Sequence, residues 1–198
     1  GKYDYEYYPK EDLVGYTEHL IRHTATAYAL AAYMLEKDSP LLNQLYKNHL
    51  EKAMSYTLSQ KRPCLPNAAK TGCLYFSYEQ PTLGANAFAI MALSNIRKLP
   101  VISNDTKESY LKEMVLLEEY LSLSFPNNSL IYTDKVDETS KRYEEGQVLM
   151  AWVRLYEATG DTKYLGKANI LMKGIITKMN EVNDYKLHHW LWLGLKDY

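Results

Sequence analysis

Apolar residues recur at helical spacing along this chain, and two of the segments are apolar on almost every side. Residues 83–98 and 144–159 have this all-round apolar character, which is typical of helices surrounded by other helices. Residues 106–124 and 162–179 instead carry their charges on one side, as helices at a surface do. The pattern predicts helices at residues 12–37, 40–59, 83–98, 106–124, 144–159, 162–179 and 188–195.

The predicted helices alternate between interior and exterior positions. Odd-numbered helices are the more apolar and even-numbered helices the more charged, so each consecutive pair is interpreted as an antiparallel hairpin with one inner and one outer member. The predicted fold class is therefore all-α, an array of helical hairpins in a single domain over residues 1–198. Residues 1–10 are expected to be an extended lead-in, and short strands are expected at 74–78 and 130–132, inside the long loops 61–78 and 126–141.

A sequence motif that consists of a short loop, an Ala-rich helix and a polar turn occurs three times. The copies lie around residues 22–24, 83–86 and 145–147. Their period of about 61 residues suits one helical hairpin with its loops. The turns match too, since Asp38 and Asp161 take equivalent places between two helices. We expect Gly160 to close its helix in a left-handed conformation, and the two aspartates to accept the free amide hydrogens of the next helix.

Composition excludes several classes of protein. With 198 residues, 46% of them hydrophobic, the chain can bury a substantial core and disorder is not expected. A formal net charge of -1 provides no basic surface for nucleic acid, and no apolar run is long enough for a membrane span. The bias of 19 Tyr against 3 Phe suits either a wet groove lined by rings or a set of half-exposed rings.

The sequence allows the two cysteines of the chain to be either bonded or free. Cys64 and Cys73 flank a segment that can turn, so either a disulfide or a pair of buried free thiols is expected. Two cysteines alone cannot hold a structural zinc ion, and nothing in the sequence calls for a cofactor. The localisation is left open, with the periplasm or the cell exterior favoured.

Short segments of the sequence carry a resemblance to a known superfamily. They are residues 22–30 (RHTATAYAL), 83–87 (LGANA), 143–147 (YEEGQ), 155–161 (LYEATGD) and 189–191 (HWL). In these residues the chain resembles the α/α-toroid proteins, which are six-hairpin glycosidases, polysaccharide lyases and uronyl or sugar epimerases. The resemblance covers most of the chain and implies a partial toroid with a polysaccharide or oligosaccharide as partner. Three and a half hairpins make about half of such a ring, so we expect a fragment of a larger protein. The remainder of the same polypeptide or a second chain would then complete the ring.

Inner helices that run in the same direction gather their free amide hydrogens and positive dipole ends on one face. The long loops before the third and fifth helices are expected to build a rim around a cleft there. Residues at these helix starts are therefore the candidate site. The catalytic candidates are Glu145, His23 and Tyr143, and the substrate-binding candidates are Arg22, Asn86, Glu144, Gln147, His189 and Trp190. No metal site is expected, because His188 and His189 are adjacent and such pairs rarely chelate together.

Most of these candidates also have a structural interpretation. Arg22 can pair with a structural carboxylate, and His23 can be a satisfied core histidine. Acidic residues at a helix start are favoured by the dipole without any function, and Trp190 can be buried between helices. Because adjacent helical residues diverge by about 100°, at most one of Glu144 and Glu145 is expected to face the cleft, and Glu145 is preferred.

Several functions remain open. A hydrolase needs two carboxyl groups across the scissile bond, of which Glu145 supplies one. The second is not obvious among Asp12, Glu18, Glu79, Asp134 and Asp137. A lyase or epimerase needs a base, such as His23 or Tyr143, and a cation such as Arg22 to neutralise a carboxylate. The alternatives are a non-catalytic glycan-binding or protein-interaction domain of a larger polypeptide, and a peptide-binding repeat scaffold.

Overall fold

Seven α-helices dominate the part of the chain that the structure, a computed structural model, describes. That part comprises residues 6–15, 19–64, 71–76, 80–131, 138–182 and 189–197. The helices are α1 (Leu20–Lys37), α2 (Pro40–Ser59), α3 (Leu83–Lys98), α4 (Asn104–Leu123), α5 (Glu138–Thr159), α6 (Thr162–Val182) and α7 (His189–Asp197). The all-α class is confirmed, and the predicted bounds of α2 and α3 match the structure at both ends.

Short strands form two small antiparallel sheets beside the helices. They are β1 (Glu6–Tyr8), β2 (Leu13–Gly15), β3 (Lys61–Pro63), β4 (Thr71–Phe76) and β5 (Gln80–Pro81). β1 pairs with β2, and β4 lies between β3 and β5. β4 overlaps the strand expected at 74–78, whereas Leu130 and Ile131 are not in a strand and Tyr132 lies outside the described residues.

The predicted start of the first helix is wrong. α1 begins at Leu20 rather than at Asp12, because residues 13–15 pair with residues 6–8 in a strand ladder. Asp12 lies in the connecting turn with φ of 48°, a left-handed conformation that Asp tolerates but an α-helix does not include. The described part of the extended lead-in is therefore one arm of a hairpin.

The helices pack in two layers. α1 packs against α3, α3 against α5, and α5 against α7, while α2, α4 and α6 pack on α1, α3 and α5. Residues 83–96 of α3 are all buried, and α5 is buried without a break from residue 146 to residue 153. The expected alternation of inner and outer helices therefore holds from α1 to α6. The partial toroid stays a prediction.

The turn from α5 to α6 follows the predicted chemistry, and the turn from α1 to α2 does not. Gly160 has φ of 71° at the end of α5, and Asp161 Oδ1 accepts a backbone N–H of α6 at 3.0 Å. Asp38, however, is itself left-handed and ends α1. Ser39 is the residue that accepts a backbone N–H of α2, at 3.4 Å. The expectation that Asp38 caps α2 is wrong because Ser39 occupies the N-cap position.

A disulfide joins the segment after β3 to β4. Cys64 and Cys73 have Cα atoms 5.0 Å apart and are bonded, so the disulfide alternative is correct. The residues are 8% and 0% exposed. The bond therefore holds the end of β3 against β4.

A buried polar network ties α4, α5 and α6 together. Glu118 of α4, with a side chain 9% exposed, accepts hydrogen bonds from Trp152 Nε1 at 3.2 Å and from Lys167 Nζ at 2.8 Å. Ser122 Oγ also donates to Glu118 and contacts Lys167. Because a buried carboxylate needs its partners in place, this network fixes the outer helices onto α5.

Candidate functional site

The starts of α1 and α3 meet α5 at Gln147, nine residues after α5 begins at Glu138. A Cβ placed on Gly84, the second residue of α3, would lie 3.5 Å from Ile21 Cδ1 of α1 and 2.9 Å from Gln147 Oε1 of α5. At the opposite end, Lys98 Nζ of α3 pairs with Glu157 Oε2 of α5 at 2.9 Å. α3 and α5 therefore run in the same direction, and so does α1, whose Tyr28 ring lies 6.2 Å from the Phe88 ring of α3, centroid to centroid, as the sequence predicts. We call the meeting point of Ile21, Gly84 and Gln147 the junction.

Gln147 is buried at the junction with an unsatisfied acceptor. The residue is 5% exposed, and its Oε1 has no hydrogen-bond partner among the residues that the structure describes. The oxygen lies beside the first turn of α3, whose N-cap residue Thr82 supplies no side-chain hydrogen bond. The first amide hydrogens of a helix have no partner within the helix. The donors at the start of α3 and the acceptor Gln147 Oε1 therefore lie close together.

Arg22 lies at the start of α1, next to the junction residue Ile21, and is exposed. The cap of this helix is His19, whose Nδ1 accepts the backbone N–H of Arg22 at 3.4 Å. Burial, together with the positive charge of Arg22, lowers the pKa of His19, which favours the neutral ring that can accept this hydrogen bond. Sequence reasoning missed His19, although a polar residue directly before the apolar helical pattern is a start signal.

His23 lies between the inner and outer layers. The residue is 6% exposed, its Nε2 lies 3.2 Å from the carbonyl oxygen of Ala53, and its ring packs edge-on against Tyr56 with centroids 5.0 Å apart. Both partners belong to α2. This environment fits the core-histidine interpretation and turns the ring toward α2 rather than toward the junction.

Asn86 fixes β4 to the start of α3. It is 0% exposed. Its Oδ1 accepts the N–H of Leu74 at 3.3 Å, and its Nδ2 donates to the carbonyls of Leu74 at 3.3 Å and Thr82 at 2.8 Å. Both ends of the amide are thus used by the backbone. As placed, Asn86 positions the junction and offers no surface to a substrate.

Three polar candidates lie one turn before the junction on α5. Tyr143, Glu144 and Glu145 are all half-buried. Residues three and four apart share a helix face, so Tyr143 and Glu144 lie on the same side of α5 as Gln147. Glu145 instead precedes Leu149, which packs against α7. Helical phase therefore places Glu144 nearer the junction than the preferred Glu145.

α7 reaches across the inner layer as well as packing on α5. The Trp190 ring lies 4.7 Å from the Phe88 ring of α3 and 6.5 Å from the Tyr28 ring of α1, centroid to centroid. A regular fourth inner helix would meet α5 alone. Trp190 is half-buried, which fits its structural interpretation. His189 is the first residue of α7, and its side chain is outside what the structure describes.

Most candidates for a second carboxylate lie outside the described residues. Glu18, Glu79, Asp134 and Asp137 lie there, as does His188. Asp12 is described and lies in the exposed β1–β2 turn. Within the described ranges, His, Cys, Asp and Glu form no group of three or more that could hold a metal ion. None of the described helices has the length and apolar character needed to cross a bilayer.

Comparisons with known proteins assign no family. No family model matches the chain, and neither a curated protein nor a solved structure matches it. The resemblance to the α/α-toroid proteins therefore stays a prediction that rests on the residues quoted for it.

Proposed function

We propose that this chain is a carbohydrate-active helical-hairpin domain that holds a polysaccharide at the end where its inner helices begin. The junction is the observation that supports the proposal. The starts of α1 and α3 meet residue 147 of α5 there. Arg22 follows Ile21, and Tyr143 and Glu144 lie one turn before the buried Gln147, each with some or all of its surface accessible. Hydroxyl-rich ligands suit such a mixture of donors, acceptors and a phenol ring.

The chemistry follows from the side chains near the junction. For hydrolysis, two carboxyl groups are required about 5–9.5 Å apart, and Glu144 or Glu145 would be one of them. For elimination or epimerisation, Tyr143 would be the base and Arg22 the cation that neutralises the carboxylate of an acidic sugar. In this proposal His23 serves the packing of α1 on α2 instead of acting as the base.

The second candidate function is a non-catalytic glycan-binding or protein-interaction domain. α7 favours it, because Trp190 packs over the rings of Tyr28 and Phe88 on the surface where an open central cleft would lie. Trp192 on the same helix is 60% exposed, and exposed tryptophan is common at binding surfaces. Binding without turnover is the behaviour expected of this candidate.

A glycan panel tests the proposal. The protein is incubated with neutral and acidic polysaccharides while reducing ends, the absorbance of unsaturated products, and binding by affinity electrophoresis are followed. Turnover that is lost in Glu144→Gln, Glu145→Gln or Arg22→Ala supports an enzyme. The matched control is Glu108→Gln, a change at an exposed position of α4 that should leave activity intact. Neither turnover nor binding with any glycan would contradict the proposal.

A further inference from the structure

Asn127 begins a tripeptide that matches the acceptor sequence for N-linked glycosylation. The tripeptide is Asn127-Asn128-Ser129, in which a serine follows the acceptor asparagine by two residues and the residue between them is not proline. Such an acceptor must lie at a surface, because the attached sugar is bulky and hydrophilic. The motif is short and also occurs by chance, so its structural setting decides whether it can carry a sugar.

The loop after α4 presents this tripeptide to solvent. The N–H of Ile131 donates to the carbonyl oxygen of Ser124 at 2.7 Å, which closes the base of the loop. Phe125 and Leu130 are each 9% exposed and anchor the loop in the core, whereas residues 126–129 between them are all exposed. The acceptor asparagine therefore lies at the tip of an anchored loop.

A tight turn carries Asn127 at this tip. Asn127 has φ of 53° and ψ of 32°, and Asn128 has φ of 63°. Two successive left-handed residues cannot continue a helix, and asparagine is among the residues that tolerate this conformation best. The N–H of Ser129 donates to the carbonyl oxygen of Pro126 at 3.3 Å. The acceptor is thus held in a turn outside α4, where an enzyme can approach it.

A second tripeptide of the same kind has a less suitable setting. Asn104-Asp105-Thr106 occupies the first turn of the 20-residue helix α4. The backbone N–H of Thr106 donates to Ser103 Oγ at 3.2 Å, and the Thr106 hydroxyl lies 2.8 Å from the same atom. The hydroxyl of this tripeptide is therefore part of the helix cap, whereas that of Ser129 is at an exposed loop tip. The loop tripeptide is the better acceptor.

The disulfide indicates the compartment in which such sugars are attached. Cys64 and Cys73 are bonded and are only 8% and 0% exposed. Disulfides form and persist in oxidising compartments such as the lumen of the endoplasmic reticulum and are rare in the cytosol. N-linked sugars are transferred to acceptor asparagines in that same lumen. A chain that forms this bond there meets the glycosylation machinery.

Exposed apolar side chains flank the loop. Leu123 is 50% exposed and Ile131 is 57% exposed, and each lies four residues from Asn127 in the chain. Apolar side chains that lie together at a surface favour association with other molecules. A bulky, hydrophilic group on the loop tip would shield this surface.

We propose that Asn127 is a site of N-linked glycosylation. The donor is an oligosaccharide linked to a lipid diphosphate, and a membrane-bound oligosaccharyltransferase catalyses the transfer. Asn127 Nδ2 forms a bond to the anomeric carbon of the first sugar, while the bond between that carbon and the phosphate oxygen breaks. The lipid diphosphate leaves, and Nδ2 gives up one of its two hydrogens as a proton. This inference is independent of the glycan binding proposed above, because the sugar here is bonded covalently to the protein.

Secretion of the full chain tests the inference. The chain is expressed behind a cleavable secretion signal in a eukaryotic host, and the secreted and cell-retained pools are both analysed by site-resolved mass spectrometry. Treatment with a peptide-N-glycosidase releases the glycan and leaves an aspartate at the modified position. The parent chain should carry a glycan at Asn127. Asn127→Gln and Ser129→Ala should each lose that glycan, although Ser129→Ala keeps the acceptor asparagine.

Asn128→Gly is the matched control. Glycine suits the left-handed turn and keeps an acceptor tripeptide, so this variant should retain the glycan. An unmodified Asn127 in both pools of the parent would overturn the proposal, as would a glycan at Asn104 alone or a glycan at Asn127 that survives in Ser129→Ala. Circular dichroism checks folding, and the variants should fold like the parent because all three residues are exposed.

Discussion

Replacing Glu118 by alanine should destabilise the packing of α4 and α6 on α5 more than the replacement of an exposed charged residue does. Trp152 is 0% exposed, so its indole N–H would be left buried without an acceptor, at a cost of about 1–3 kcal/mol. Lys167 would also lose its carboxylate, but its side chain is 28% exposed and can turn to water. Breaking a fully buried pair costs about 3–5 kcal/mol, so the partial exposure of Lys167 places the expected loss at about 2–4 kcal/mol.

Urea and thermal unfolding followed by circular dichroism measure this loss. For a chain of this size the midpoint temperature of thermal unfolding should fall by roughly 5–15 °C. Glu157→Ala is the matched control, because Glu157 also has two cationic partners, Lys98 and Arg154, yet its side chain is 37% exposed. Exposed pairs contribute about 0–1 kcal/mol. If Glu118→Ala cost no more than Glu157→Ala, the network would not fix α4 and α6 onto α5.

Three further changes test separate parts of the structure. Asn86→Ala should destabilise the protein by about 2–3 kcal/mol, because the buried N–H of Leu74 loses its acceptor; a loss below about 0.5 kcal/mol in urea unfolding would show that Asn86 does not fix β4 to α3. Replacing Cys64 and Cys73 by serine should cost about 2–3 kcal/mol, from a loop with sequence separation 9, and unchanged stability of the double variant would argue against the bond. Burial, reinforced by Glu51, raises the pKa of Tyr110 to about 12 from 10.0. The stability that this neutral phenol provides should be complete below pH 10 and disappear as the pH rises toward 12, because the unfolded chain ionises first. The difference in phenolate absorbance between the parent and Tyr110→Phe measures this, and ionisation near pH 10 in the folded protein would refute it.

Although the pattern placed the start of α5 at residue 144 and the helix begins at Glu138, it was sufficient to find the seven described helices, because burial repeats with the helical period. α3 is the clearest case: its all-round apolar sequence required neighbours on every side, and residues 83–96 are all buried. The start of α1 could not be located in the same way, since residues 13–15 pair with residues 6–8. That pairing depends on a partner strand rather than on the local period of apolar residues, so the pattern alone predicts a helix there.

The candidate site was predictable by position and not by orientation. The repeat brought Gly84 and Gln147 to one end of the molecule because the inner helices run the same way. Which side of a helix meets which neighbour depends on packing that one sequence does not specify. His23 is satisfied by the carbonyl of Ala53 in another helix, and the choice between Glu144 and Glu145 turned on the phase of α5 at the junction.

The meeting of the starts of α1 and α3 with Gln147 of α5 is the claim on which the site depends, and a nuclear Overhauser experiment tests it most directly. In methyl-labelled protein with assigned resonances, Ile21 Cδ1 should give a cross-peak to the α-protons of Gly84, because that methyl lies 3.5 Å from the position of a Cβ on Gly84. A second cross-peak should join the same α-protons to the side-chain amide of Gln147. Absence of both cross-peaks from a folded sample would contradict the junction and the site built on it.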